Sequence, residues 1–129
     1  MTAPDPDARD GRWPRRVYGV GTEPDPRFSF ANERTFLAWI RTALGFIAAG
    51  VALSAVVRLG SGGGPEVRSA SILLVGCGLL SGVGALVRWA QSERAMRLAQ
   101  PLPSSPLLLV VTVLVVLAAL AALLVLVAG

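Results

Sequence analysis

Hydrophobic positions in this chain fall in three long blocks, and polar positions gather between those blocks and ahead of the first. The stretch Asp25 to Val57, DPRFSFANERTFLAWIRTALGFIAAGVALSAVV, begins polar and basic and becomes apolar without a break. Alternating steps of four and three pick out one stripe in it: Arg27, Ala31, Arg34, Ala38, Arg41, Gly45, Ala48, Ala52 and Ala55. A heptad step drifts only about 20° around a straight helix, so these positions share one face. The bulky residues, among them Phe36, Leu37, Trp39, Leu44, Phe46 and Val51, all lie off it.

The pattern predicts an all-α membrane protein with three transmembrane helices, preceded by an amphipathic cytoplasmic helical segment. The spans cover about 36–57, 71–87 and 107–128. Asp25 reads as a helix cap and Pro26 as the first helical residue. Phe28 to Arg34 then suits the headgroup zone. Thr42 to Val57 rises only about 24 Å, short of the ~30 Å hydrocarbon core. Two depths follow: Arg41 and Arg58 bracket the span and snorkel, or the helix enters lipid at Phe36 and Arg41 lies within protein. The second block contains Gly78 and Gly82, a GxxxG pair that permits close helix approach in lipid. Glu93 and Arg97 follow it as an i,i+4 pair, worth a few tenths of a kcal/mol on an exposed surface. Pro101, Pro103 and Pro106 stop that helix. The third block carries no charge and reads as a wall facing lipid.

Ahead of all this, residues 1–24 mix four prolines with aspartates and arginines, a composition expected to form a disordered cytoplasmic tail. Residues 25–129 form one membrane domain. The first apolar run sits behind that charged segment, which does not read as a secretory signal peptide. Loop one contains Gly62, Gly63 and Gly64, without the lysine of a phosphate-cradling loop, and reads as a linker.

Charge sets the orientation. Mean hydropathy is +0.63, and the 12 basic residues are all arginine, for a net charge of +4. Arginines crowd the segment before span one, and Arg88, Arg94 and Arg97 follow span two; loop one holds only Arg58 and Arg68. The positive-inside rule places the N-terminus in the cytoplasm and the C-terminus outside a bacterial-type inner membrane. Arginines that flank apolar spans point to the lipid bilayer as partner and not to nucleic acid. The sequence holds no histidine and no metal-ligand cluster, so it predicts no catalytic residue, no metal and no cofactor, and hence no enzyme. Cys77 lies alone in an apolar run and reads as a small buried residue.

FANERTFLAWIRTAL, within Asp25 to Gly50, and the later RW…ER…R…PLP stretch, Arg88 to Pro103, resemble the YidH-like family of small bacterial inner-membrane proteins of unknown function. The same domain is similar to the membrane part of the eukaryotic vacuolar transporter chaperone complex. That resemblance implies copies assembled with their first helices around a polyphosphate channel. By position it carries over Arg27 and Arg34, with Asn32 and Glu33 in the shared FANER core, and places Arg97 near a basic cluster after the second span. Arg41 has no dependable counterpart there, and these residues include no polyphosphate-polymerase domain.

The stripe has two readings. In one, its arginines are topology markers in water, and Gly45, Ala48 and Ala52 pack against spans two and three of the same subunit. In the other, it faces a symmetry axis of a homo-oligomer. Arg27, Arg34 and Arg41 then form basic rings about 10 Å apart, with Arg97 nearby, suited to an anion or polyphosphate. Glu33, about 120° off the stripe, is expected to pair with Arg88 or Arg94 of a neighbouring helix. The alternative function is a structural subunit packed against another membrane protein.

Overall fold

A computed structural model describes residues 11–60 and 64–128. It holds four helices: α1 (Arg15–Tyr18), α2 (Pro26–Arg58), α3 (Pro65–Arg97) and α4 (Pro106–Ala128). The expected spans fall inside α2, α3 and α4. Each long helix opens on a proline, which lacks only a donor that has no helical partner at that position. Asp25 caps α2 by accepting a hydrogen bond from the Arg27 amide at 2.9 Å. α3 stops at Leu98, where the Ala99 amide donates to Met96 O and the Gln100 amide to Ala95 O. Those bonds form a Schellman closure, with Ala99 left-handed at φ 52°.

α2 and α3 are each 33 residues long, about 50 Å, and run antiparallel as one hairpin. Ser29 faces Glu93 at one end, Ala43 faces Gly78 and Gly82 in the middle, and Gly50 faces Ser71. Glycine permits this closeness. A Cβ on Gly78 would lie 2.8 Å from the Ala43 carbonyl oxygen, and one on Gly50 would lie 2.8 Å from the Ser71 carbonyl oxygen. The Ser71 hydroxyl donates across the same crossing to Gly50 O. α4 rests on α3 near its own start, where Leu107 closes on Gly84.

Both long helices are long and apolar enough to cross a membrane. Only 11% and 22% of their most apolar windows are buried inside the molecule, so they are not the core helices of a water-soluble bundle. Leu37, Leu44, Val51, Leu73, Leu79, Leu109 and Leu117 are exposed. An apolar surface that continuous calls for a non-aqueous surrounding.

The N-terminal segment departs from the sequence expectation. Residues 1–10 lie outside the described residues, as do 61–63 of loop one. Residues 11–24, expected as a disordered tail, instead fold along the last turns of α3. Val17 of α1 is buried, and the Thr22 amide donates to Arg97 O at 3.0 Å. The physical reason is local. A few side chains find specific partners on α3, so the strap needs no core of its own. Gly21 takes φ +62°, and a Cβ there would strike the Arg97 carbonyl, so the close approach requires glycine.

Candidate functional site

Two polar features stand out, one hidden and one open. The hidden one is a knot where the start of α2, the end of α3 and the N-terminal strap meet. Glu93 and Arg97 are only 3% and 4% exposed. The Glu93 carboxylate accepts from Ser29 Oγ at 2.9 Å and from Asn32 Nδ2 at 3.4 Å. Asn32 Nδ2 also donates to Trp89 O at 3.1 Å. Arg97 lies beside it, its Nε 3.8 Å from Glu93 Oε1. Its remaining nitrogens donate to Tyr18 O at 3.3 Å and to Glu23 Oε2 at 3.2 Å.

Glu23 accepts twice more from Arg12, at 3.1 and 2.6 Å. The Arg12 hydrogen bond chiefly holds the Glu23 carboxyl below the usual glutamate range, with Arg97 adding to it. The guanidinium groups of Arg12 and Arg97 each stand within 5 Å of the Tyr18 ring centre, at 4.8 and 4.9 Å. Tyr18 also leans on Trp89, with centroids 6.2 Å apart. A buried pair held from this many directions fixes geometry, although the Arg97 Nε–H itself has no hydrogen-bond acceptor among the described residues.

The knot corrects two sequence expectations. Arg97, expected among the anion-binding residues, is enclosed and committed to Glu23, Glu93 and Tyr18. The i,i+4 pair with Glu93, expected on a surface, is buried. Sequence reasoning missed Tyr18, Glu23 and Ser29 as partners. The signal for Tyr18 and Glu23 was faint, because single polar residues in a proline-rich segment have no periodicity to reveal them, and Ser29 is one small residue in the first turn of α2.

The open feature is the stripe on α2. All nine of its positions, from Arg27 to Ala55, are exposed. The face of α2 that meets α3 is a different one: Ser29, Asn32, Phe36, Trp39, Ala43, Ile47, Gly50 and Val57 are all buried or half-buried. At 100° per residue the two faces are roughly opposite. Gly45, Ala48 and Ala52 therefore pack against no helix of this chain, contrary to the reading that set them against spans two and three. Nothing lies within 4 Å of a Cβ built on Gly45. α3 instead takes the mixed face, because the glycines able to receive α2 side chains lie there: Gly78 is buried and Gly82 half-buried.

Among the described residues, Glu33 pairs with neither Arg88 nor Arg94. It is exposed above a hollow lined by Phe36, Leu37, Leu86 and Trp89. Arg94 donates to Arg16 O at 3.1 Å. Arg88 is half-buried in a narrow cleft with Thr35 and Trp39. No group of three or more metal-ligating side chains occurs among the described residues.

Comparison with known proteins identifies a family. The family model for the domain of unknown function DUF202 matches residues 27–95, which take in α2 and nearly all of α3. The inner membrane protein YidH of Escherichia coli is 46% identical over 118 residues, covering 88% of this chain and 99% of that protein. Its counterpart in Shigella flexneri matches to the same extent. An uncharacterized protein of Mycobacterium tuberculosis is 52% identical over 85 residues, 65% of this chain and 68% of its own length. No solved structure matches.

Proposed function

The chain belongs to the YidH-like family defined by DUF202, and on that premise we propose an integral inner-membrane protein that assembles with copies of itself through the stripe on α2. α2, α3 and α4 cross the bilayer, with the N-terminal strap and the knot on the cytoplasmic side. Arg27, Arg34 and Arg41 then line a basic vestibule that takes anions or polyanions. The location draws on the relatives named as inner membrane proteins and on the apolar outer surfaces of α2 and α3.

One observation carries the assembly: the nine stripe positions, all arginine, alanine or glycine, are left uncovered on the side of α2 away from α3. Small residues let backbones approach where lipid supplies no hydrophobic drive. Arginines brought to one axis repel, so a bound anion is part of the assembly.

The test is the mass of the particle in mild detergent, followed by anion flux through vesicles holding the protein. A defined oligomer is expected. Its Arg27→Glu, Arg41→Glu variant should still assemble and lose anion passage. A monomeric particle refutes the assembly. Loss of a different membrane protein from the particle, without flux at any stage, assigns the chain to the structural class instead.

A further inference from the structure

Beside the seam, α2 and α4 border an open groove that shares Arg34 and Ala38 with the stripe, and α3 borders the narrow cleft adjoining it. The groove measures about 400 Å³ and is lined by Arg34, Thr35, Ala38, Trp39, Thr42 and Val111. Through Thr35 and Trp39 it adjoins the narrow cleft that holds Arg88. Arg34 and Arg88 come from different helices, yet the antiparallel register that sets Ser29 against Glu93 and Ala43 against Gly78 also sets them at one height. Among the described residues, neither guanidinium has a hydrogen-bond or ion-pair partner. The nearby carboxylates are taken or turned away. Glu93 is consumed by Ser29, Asn32 and Arg97, and Glu33 borders the separate hollow with Leu37 and Leu86.

Beyond Arg34 the groove becomes apolar. Ala38 is one turn further along α2 than Arg34, and Thr42 one turn beyond that. The Thr42 hydroxyl is turned back to Ala38 O at 3.2 Å and offers little polarity. Val111 forms the opposite wall. Arg34 at the groove and Arg88 in the adjoining cleft, over an apolar trough between helices sized to cross a bilayer, match a phosphodiester headgroup with an acyl chain beneath it. Guanidinium groups suit phosphate oxygens through planar, paired donors, and basic pockets between membrane helices bind anionic headgroups by this chemistry.

We propose that this groove is a binding site for one anionic phospholipid per chain, its phosphate held between Arg34 and Arg88 and one acyl chain laid along Ala38, Thr42 and Val111. The lipid comes from the leaflet on the side of the N-terminal strap. The site rests on the membrane reading of α2 and α3 but not on assembly, since every wall belongs to a single chain.

The experiment is native mass spectrometry of the full chain in mild detergent, titrated in turn with phosphatidylglycerol, phosphatidylcholine and inorganic phosphate. Phosphatidylglycerol should bind at least tenfold more tightly than phosphatidylcholine. Arg34→Ala with Arg88→Ala should lower its occupancy at least tenfold. Arg58→Ala with Arg68→Ala removes the same charge at the far end of the hairpin and should leave occupancy unchanged. Thr42→Phe, which fills the trough and keeps both arginines, should also displace the lipid. Equal binding of the two phospholipids, or equal loss in both double variants, overturns the site. Inorganic phosphate binding as tightly as phosphatidylglycerol overturns the lipid assignment. The same spectra report copy number: a monomer with lipid bound sinks the assembly alone, and an oligomer without lipid sinks the groove alone.

Discussion

At the scale of single residues, the balance of the molecule turns on Glu93. Its carboxylate is buried and shared by Ser29, Asn32 and Arg97. Removing Glu93 leaves Ser29 and Asn32 without their acceptor and Arg97 with only the exposed Glu23 as counter-charge, a loss that approaches the ~3–5 kcal/mol of breaking a buried pair. Glu93→Ala should therefore lower the thermal midpoint in detergent severely. Glu33→Ala, at an exposed position with no partner among the described residues, should stay within about 0.5 kcal/mol of wild type. Similar losses in both variants would mean the knot holds nothing together. Glu93 and Arg97 were legible as a spaced pair, but their burial was not, because the covering strap belongs to a segment whose composition reads as unable to fold. Val17 and Tyr18 show why that reading fails here: one small apolar contact and one ring under two guanidinium groups suffice when α3 is already in place.

At the scale of elements, helix boundaries were written plainly in the chain. Asp25 and Pro26 open α2, and Pro101 and Pro103 follow the end of α3. The phase of α2 was not. Two stripes run along it, one of arginine and small residues, the other mixed and containing Phe36, Trp39, Ala43, Ile47 and Gly50. Composition makes the first more conspicuous. Packing selects the second, since α3 offers Gly78 as a gap that receives Ile47 and Ala43. Gly78→Ala should therefore push backbone against backbone and cost about 1–3 kcal/mol. Gly45→Ala, open on every side within the chain, should leave the hairpin as stable as before. Thermal melts of the two variants in detergent check this, and a larger loss for Gly45→Ala would reverse the assignment of faces.

At the scale of the whole molecule, the proposed three spans put an odd number of crossings between the two ends of the membrane domain. If the strap lies in the cytoplasm and three spans follow, as proposed, a periplasmic reporter fused after Gly129 should be active, and a cytoplasmic one silent. The opposite pair of results would remove α4 from the membrane. The knot adds a condition to how such a chain is made. Arg97 leaves the ribosome long after Tyr18 and Glu23, with two hydrophobic segments threaded in between. The three can meet only if both segments have crossed, so that the late residue returns to the compartment where the early ones waited. A chain stalled after one crossing leaves Glu23 with Arg12 alone and Arg97 with Glu93 alone. On the proposed topology, the knot closes only over a hairpin whose two segments have both crossed.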